Sequence, residues 1–299
     1  KYIMFKQQYC SPNSDGIKGT SCLNKPLLQE IAEGLNSLKP KKGKTIKKIN
    51  CSGTPEEIHR CISENIKSIS SCSSEPCWTT IRDLMGKIDN KKEFKEMFRP
   101  IMPGEWIKDY NSWLSTTDID NVLQQYQKKH NDFYYYGAIP SDFNLRENKK
   151  CLVSDLCSFN LKDHINNGIQ NIGIVFNTDP HDEPGEHWIS MVVNINGDLL
   201  NKPAIYYFDS FGEKPSDEIK ELIDEIKKQG SEKEIDFAYL FNNKKIQDGK
   251  SQCGLYSIDF LIELGINKVP FKKYLKDKAN DERVDKLRSI YFIDPREIK

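Results

Sequence analysis

Cys253 stands where a polar stretch, Gln247-Asp248-Gly249-Lys250-Ser251-Gln252, meets an apolar run that includes Leu255, Tyr256, Ile258, Phe260, Leu261 and Ile262. The run reads as a buried helix with the cysteine in its first turn. Unpaired backbone N–H groups and the positive end of the helix dipole favour the thiolate there, and the thiolate is the nucleophilic form of cysteine. A cysteine that serves only packing gains nothing from that position. Upstream, Gly185-Glu186-His187-Trp188 leads into the apolar segment 189–195, and Ala204-Ile205-Tyr206-Tyr207-Phe208 ends on Asp209. The turn residues Asn196, Gly197 and Asp198 lie between the two segments, which together read as a β-hairpin. In antiparallel strands the start of one lies beside the end of the other, so His187 and Asp209 are expected at one edge of the sheet. A carboxylate that fixes an imidazole tautomer, an imidazole that takes a thiol proton, and a thiol at a helix start make up a thiol-protease constellation.

Acyl transfer also develops an oxyanion, which needs fixed donors. Gln247, six positions before Cys253, and the Cys253 N–H are the expected pair. Gln252 competes for the role, but a residue adjacent to the nucleophile usually points elsewhere as the chain turns into the helix. Each assignment has a bland counterpart. A single buried cysteine is usually inert, a histidine beside a tryptophan usually belongs to the core, and Asp209 could simply form a turn before Ser210 and Gly212. What favours catalysis is the four residue types occurring together, in this order and in these contexts.

The elements that must carry these residues follow from periodicity and capping. Ile172-Gly173-Ile174-Val175-Phe176 reads as a central strand, and 235–241 as a further strand leading to Gln247. Thr117 is the expected cap of a helix with Ile119, Val122, Leu123 and Tyr126 on one face. Ser216 caps another helix, with Ile219, Leu222, Ile223 and Ile226 inward and Gly230 at its end. The first 100 residues read as a separate helical region. It contains an amphipathic stretch from Pro26 and a second helix in which Thr54 caps, Pro55 opens and Glu57 completes a capping box. Pro100, Pro103 and Gly104 punctuate the expected boundary between an accessory arm, residues 1–100, and a catalytic domain, residues 101–299.

The order and local sequences of His187, Asp209, Gln247 and Cys253 resemble the Ulp/adenain-like clan of cysteine proteases. Phe176-Asn177-Thr178-Asp179, Tyr207-Phe208-Asp209-Ser210-Phe211-Gly212, Gln252-Cys253-Gly254-Leu255-Tyr256-Ser257 and the stretch from Asp281 to Asp294 are similar to the polyprotein-processing proteases of African swine fever virus and other large DNA viruses. The likeness covers residues 110–295 well and the first third loosely. The swine fever virus enzyme carries Asn at the position of Asp209, whereas Ulp-type enzymes carry Asp. The resemblance implies an α+β, papain-like core with a central mixed sheet flanked by helices, and catalysis without a cofactor. Trp113, in a Trp-Leu pair, and Trp188, after the histidine, match the two indoles that wall a glycine-only tunnel in Ulp-type enzymes. This implies protein or polyprotein substrates cut at Gly-Gly-X or Gly-X-Gly sites during particle maturation. A deconjugase for a ubiquitin-like modifier is the alternative, and an inactive scaffold that binds glycine tails is a third reading.

Composition narrows the remaining classes. Lys plus Arg and Asp plus Glu both number 44 in 299 residues, so no overall charge points to nucleic acid. The run from Lys39 to Lys48 holds six lysines but no interleaved aromatics, which fits a solvated loop better than a nucleic-acid site. No apolar run reaches the ~18 residues of a membrane span, and residues 1–7 are too short in apolar core for a signal peptide. The nine cysteines are an odd number without tight scaffold spacing, so Cys72 and Cys77 are expected as packing or surface thiols. The expected setting is intracellular and reducing: host cytoplasm or viral factory, with packaging into the virion. Cys151, Cys157 and His164 fit no common zinc spacing, so no metal is expected.

Overall fold

A computed structural model describes residues 9–40 and 42–298. Residues 1–7, weighed above as a signal peptide, lie outside this range, as does Lys41 of the lysine run. The chain divides into two units, residues 9–108 with 291–298, and residues 109–290.

In the first unit, α1 (Lys25–Ser37) is capped by the Asn24 side chain, which accepts the Leu27 N–H. It turns Leu27, Leu28, Ile31 and Leu35 inward. α2 (Pro55–Ile69) starts on the expected Thr54–Glu57 capping box and buries Ile58, Ile62 and Ile66. The punctuation at Pro100 to Gly104 does not coincide with the division. Ile101 pairs with Ile293, the Met102 N–H donates to the Ile293 carbonyl at 2.9 Å, and Trp106 meets Phe292 edge-on at 5.0 Å. Ile293 and Ile298 join the core of this unit. Turn residues mark where a chain bends, whereas apolar residues at both ends of a segment decide which core it joins.

The cysteine expectation is corrected. Cys10–Cys22, Cys72–Cys77 and Cys151–Cys157 are disulfide-bonded, with Cα separations of 5.1, 5.4 and 6.4 Å, leaving Cys51, Cys61 and Cys253 as thiols. All three pairs are local in sequence, so folding brings their Cα atoms within the ordinary bridging range. An odd count and loose spacing carry no information about such pairs. His164 Nε2 lies 2.7 Å from the Tyr136 hydroxyl. Among the described residues, no group of three or more His, Cys, Asp or Glu could hold a metal. No described helix is long and apolar enough to cross a membrane.

The second unit is built on a mixed sheet. α3 (Thr116–Lys129) is capped by Ser115, not by Thr117 as expected. The Asp118 carboxylate reaches back to the Ser115 N–H at 2.8 Å and closes a capping box. The strands are β1 (Phe133–Ile139), β2 (Asn171–Asn177), β3 (Trp188–Asn194), β4 (Ala204–Phe208) and β5 (Ala238–Phe241), hydrogen-bonded in that order. The outer pairs are parallel and the two inner pairs antiparallel. α4 (Asp217–Ser231), capped by Ser216, packs Ile219, Leu222, Ile223 and Ile226 against one face, with Ile174, Met191, Val193 and Ile205. α5 (Cys253–Phe260) covers the other face, where Phe260 stacks on Phe208 at 4.9 Å. Both faces being covered explains why β2 and β3 are almost wholly apolar rather than alternating. α6 (Asp281–Tyr291) is tied to α5 by Arg283, whose guanidinium grips the buried Asp259 carboxylate at 2.6 and 2.8 Å.

Candidate active site

Antiparallel pairing of β3 with β4, with Ser190 opposite Phe208, sets the residue before β3 beside the residue after β4. These are His187 and Asp209. The His187 Nε2–H donates to Asp209 Oδ1 at 2.7 Å, and both side chains are buried. The His187 carbonyl accepts the Thr178 N–H at 2.9 Å, and the ring stacks on Phe211 at 4.4 Å. Asp209 is held just as firmly. Its Oδ1 also accepts the Phe211 N–H at 2.7 Å. Its own N–H and carbonyl are clamped by the Asn242 amide at 3.0 and 2.5 Å. Asn242 arrives there because β4 and β5 run parallel with Tyr207 opposite Phe241, so the residue after β5 meets the end of β4.

Cys253 is the first residue of α5 and is only 3% exposed. With Nε2 committed to Asp209, the other ring nitrogen of His187 is the one left for the thiol. Burial opposes a charge on His187, but the hydrogen bonds and charges of Asp209 and Cys253 outweigh it, and its pKa is pushed up to about 9. The arrangement therefore holds an imidazolium beside the sulfur near neutral pH, as a thiolate–imidazolium nucleophile requires.

Gln247 is fully buried. Its Oε1 accepts the Ser210 hydroxyl at 2.8 Å, and its Nε2 donates to the Gly249 carbonyl at 2.9 Å. An amide nitrogen carries two N–H groups, so one remains. Gln252 is turned away, its Nε2 bonded to Asp285 Oδ1 on α6 at 3.0 Å.

Trp113 and Trp188 line one groove of about 470 Å3, together with Leu114, Pro140, Asp179 and Glu183. Trp188 is buried, and its Nε1–H donates to the Leu114 carbonyl at 2.8 Å. The Ser112 carbonyl accepts from the Arg288 guanidinium at 2.8 Å. With its neighbours pinned on both sides, Trp113 stands 50% exposed at the groove. Gly254 keeps this wall close to Cys253, since a Cβ there would come within 3.0 Å of Leu114 Cβ and 3.3 Å of Trp188 Cδ1. Sequence reasoning missed Phe211, Asn242 and Arg288. Phe211 could have been suspected as an aromatic two residues past the acid. Asn242 and Arg288 depend on strand register and on a helix distant in sequence, which leave no local signal.

A papain-like mixed sheet with a buried His–Asp pair at the ends of two inner strands and a cysteine opening the central helix is the arrangement of a cysteine peptidase. The chain belongs to the family described as YopJ serine/threonine acetyltransferase, whose model matches residues 92–298. It is 26% identical, over 95% of its length and 92% of the relative's, to a protein of Acanthamoeba polyphaga mimivirus designated a thiol protease. It is 24% identical to a cysteine protease of African swine fever virus, over 76% of this chain and 85% of that one. The crystal structure of the swine fever virus protease superposes with a TM-score of 0.63 at 19% identity, covering 95% of this chain and 97% of that one.

Proposed function

We propose that this protein is a cysteine endopeptidase that cuts a viral structural polyprotein at glycine-containing sites. Cys253 attacks the scissile carbonyl. His187 takes the thiol proton and returns it to the leaving amine. Asp209 orients the imidazole, and Gln247 with the Cys253 N–H stabilises the oxyanion. The observation that carries the reading is the buried His187–Asp209 pair at 2.7 Å beside a thiol that opens a helix. Trp113 and Trp188 on the adjoining groove support a subsite too narrow for a side chain. Host cytoplasm or the viral factory, with carriage into the particle, is the setting that goes with this role, while the three disulfides run against the expectation of a reducing one. A screen of Gly-Gly-X and Gly-X-Gly peptides tests the proposal. Cleavage that disappears in Cys253→Ala is expected, and unchanged cleavage in that variant would overturn it.

Two further readings each have an observation behind them. Relatives from African swine fever virus isolates carry the name SUMO-1 cysteine protease, which favours deconjugation of a modifier ending in Gly-Gly. A deconjugase needs the folded modifier, whereas a polyprotease cuts short peptides. The family description favours acyl transfer to hydroxyls, which would use the same nucleophile. The groove favours a peptide instead: its described lining carries the carboxylates Asp179 and Glu183, and His181 is its one basic side chain, a poor match for a phosphate-bearing acyl donor. Acetyl-CoA that acetylates Cys253 without peptide cleavage would reverse that preference.

A further inference from the structure

The segment 247–252 carries no regular structure, yet it must aim the Gln247 amide at an oxyanion. Loops hold such aims poorly unless something rigid grips them. Asp281, the first residue of α6, provides the grip. Its Oδ2 accepts the N–H groups of both Asp248 and Gly249, at 2.9 and 3.0 Å. Its Oδ1 accepts the Tyr256 hydroxyl at 2.7 Å. Tyr256 lies on α5, one turn after Cys253. One carboxylate thus fixes the oxyanion loop and the nucleophile helix to a common point. Gly249, whose N–H it holds, presents from the next peptide the carbonyl that accepts Gln247 Nε2 at 2.9 Å. With Ser210 holding Oε1 at 2.8 Å, both ends of the amide are set. α6 supports the same loop a second time through Asp285 and Gln252, and its own place is secured by the Arg283–Asp259 pair.

We infer that Asp281 is a positioning residue for the oxyanion donor, acting through the 248–249 amides and the Gly249 carbonyl to aim Gln247. The inference rests on the reading of Gln247 as that donor. Loss of the carboxylate frees two amides and lets the Gly249 carbonyl swing. Displacements of about 1 Å near reacting groups cost up to about 10²-fold in rate.

The test uses the full chain, a fluorogenic peptide ending in Gly-Gly before the reporter, and iodoacetamide. Alkylation by iodoacetamide consumes the thiolate but forms no oxyanion; followed at Cys253 by peptide mass mapping, because Cys51 and Cys61 are also thiols, it reads that thiol separately. Asp281→Ala is expected to lower kcat by about 10-fold or more with KM and the alkylation rate held. Asp281→Asn should restore most of kcat, because its amide oxygen can take the loop N–H groups while its nitrogen donates to the Tyr256 oxygen. Tyr256→Phe, which leaves the loop contacts in place, should keep kcat. In the Gln247→Ala background, Asp281→Ala should add nothing. If Asp281→Ala does not fold, Asp281→Ser, too short to span both amides, serves in its place. Wild-type kcat in the Asp281 variants while Gln247→Ala is slow would overturn the inference alone. An equal fall in alkylation, or effects that multiply in the double variant, would also overturn it. Wild-type kcat in Gln247→Ala would instead remove the oxyanion reading on which it stands.

Discussion

At the scale of single residues, His187 controls the pH behaviour. Its pKa in the folded chain, about 9, lies above the ordinary 6.5 because Asp209 and Cys253 together overcome burial. A raised pKa means that the protonated ring stabilises the fold. That contribution is complete below pH 6.5 and is lost as pH rises through 9. The basic limb of kcat/KM should fall near 9, and Asp209→Ala should move it to lower pH, as a pH–rate series would register. A limb unmoved by Asp209→Ala would detach the carboxylate from the imidazole's titration. Gln247 and Gln252 make a second contrast. An oxyanion donor is worth ~10²–10³ in rate, so Gln247→Ala should lose that much and Gln252→Ala much less. Steady-state kinetics giving the reverse order would exchange their roles.

At the scale of elements, two tryptophans on one groove answer to different supports. Trp188 is buried and bonded to Leu114, so Trp188→Ala should cost about 3 kcal/mol or more in stability. Trp113 is half exposed, and Trp113→Ala should shift stability by no more than about 0.5 kcal/mol. Selectivity is therefore best read in Trp113→Ala. A peptide library profiled against this variant should show alanine admitted where the parent accepts only glycine. Undiminished glycine preference would mean that the slot is walled by other groups.

At the scale of the whole molecule, His187, Asp209, Gln247, Cys253 and both groove tryptophans belong to residues 109–290. A fragment of that span is expected to keep Cys253 labelling by a small thiol reagent, and its loss with a folded circular-dichroism spectrum would make the first unit a shaper of the site. The disulfides give a further check. Alkylation without reductant should modify Cys51, Cys61 and Cys253 alone. Reduction should lower the stability of the first unit by about 2–4 kcal/mol per bridge, and mass spectrometry with thermal melting would read both effects.

The placement of the candidate site residues was largely legible in the chain because its parts are local. A polar-to-apolar switch marks the start of α5, a turn between apolar runs marks the β3–β4 hairpin, and antiparallel pairing then places His187 beside Asp209. The capping box at Thr54 was legible for the same reason: its partners are three residues apart. The Ser115–Asp118 box that caps α3 is just as local, and the expectation of Thr117 as the cap overlooked a pattern the sequence already held. Tertiary structure decided everything that depends on elements distant in sequence. The clamp of Asn242 on Asp209 needed the register of β5, the grip of Asp281 on the 247–252 segment needed the docking of α6, and Ile293 and Ile298 found their core among residues 22–98. Hydrogen bonds and apolar contacts at such separations obey the same physics as local ones. They leave no periodic or spaced pattern, because the partner is chosen by the path of the folded chain and not by its distance along it.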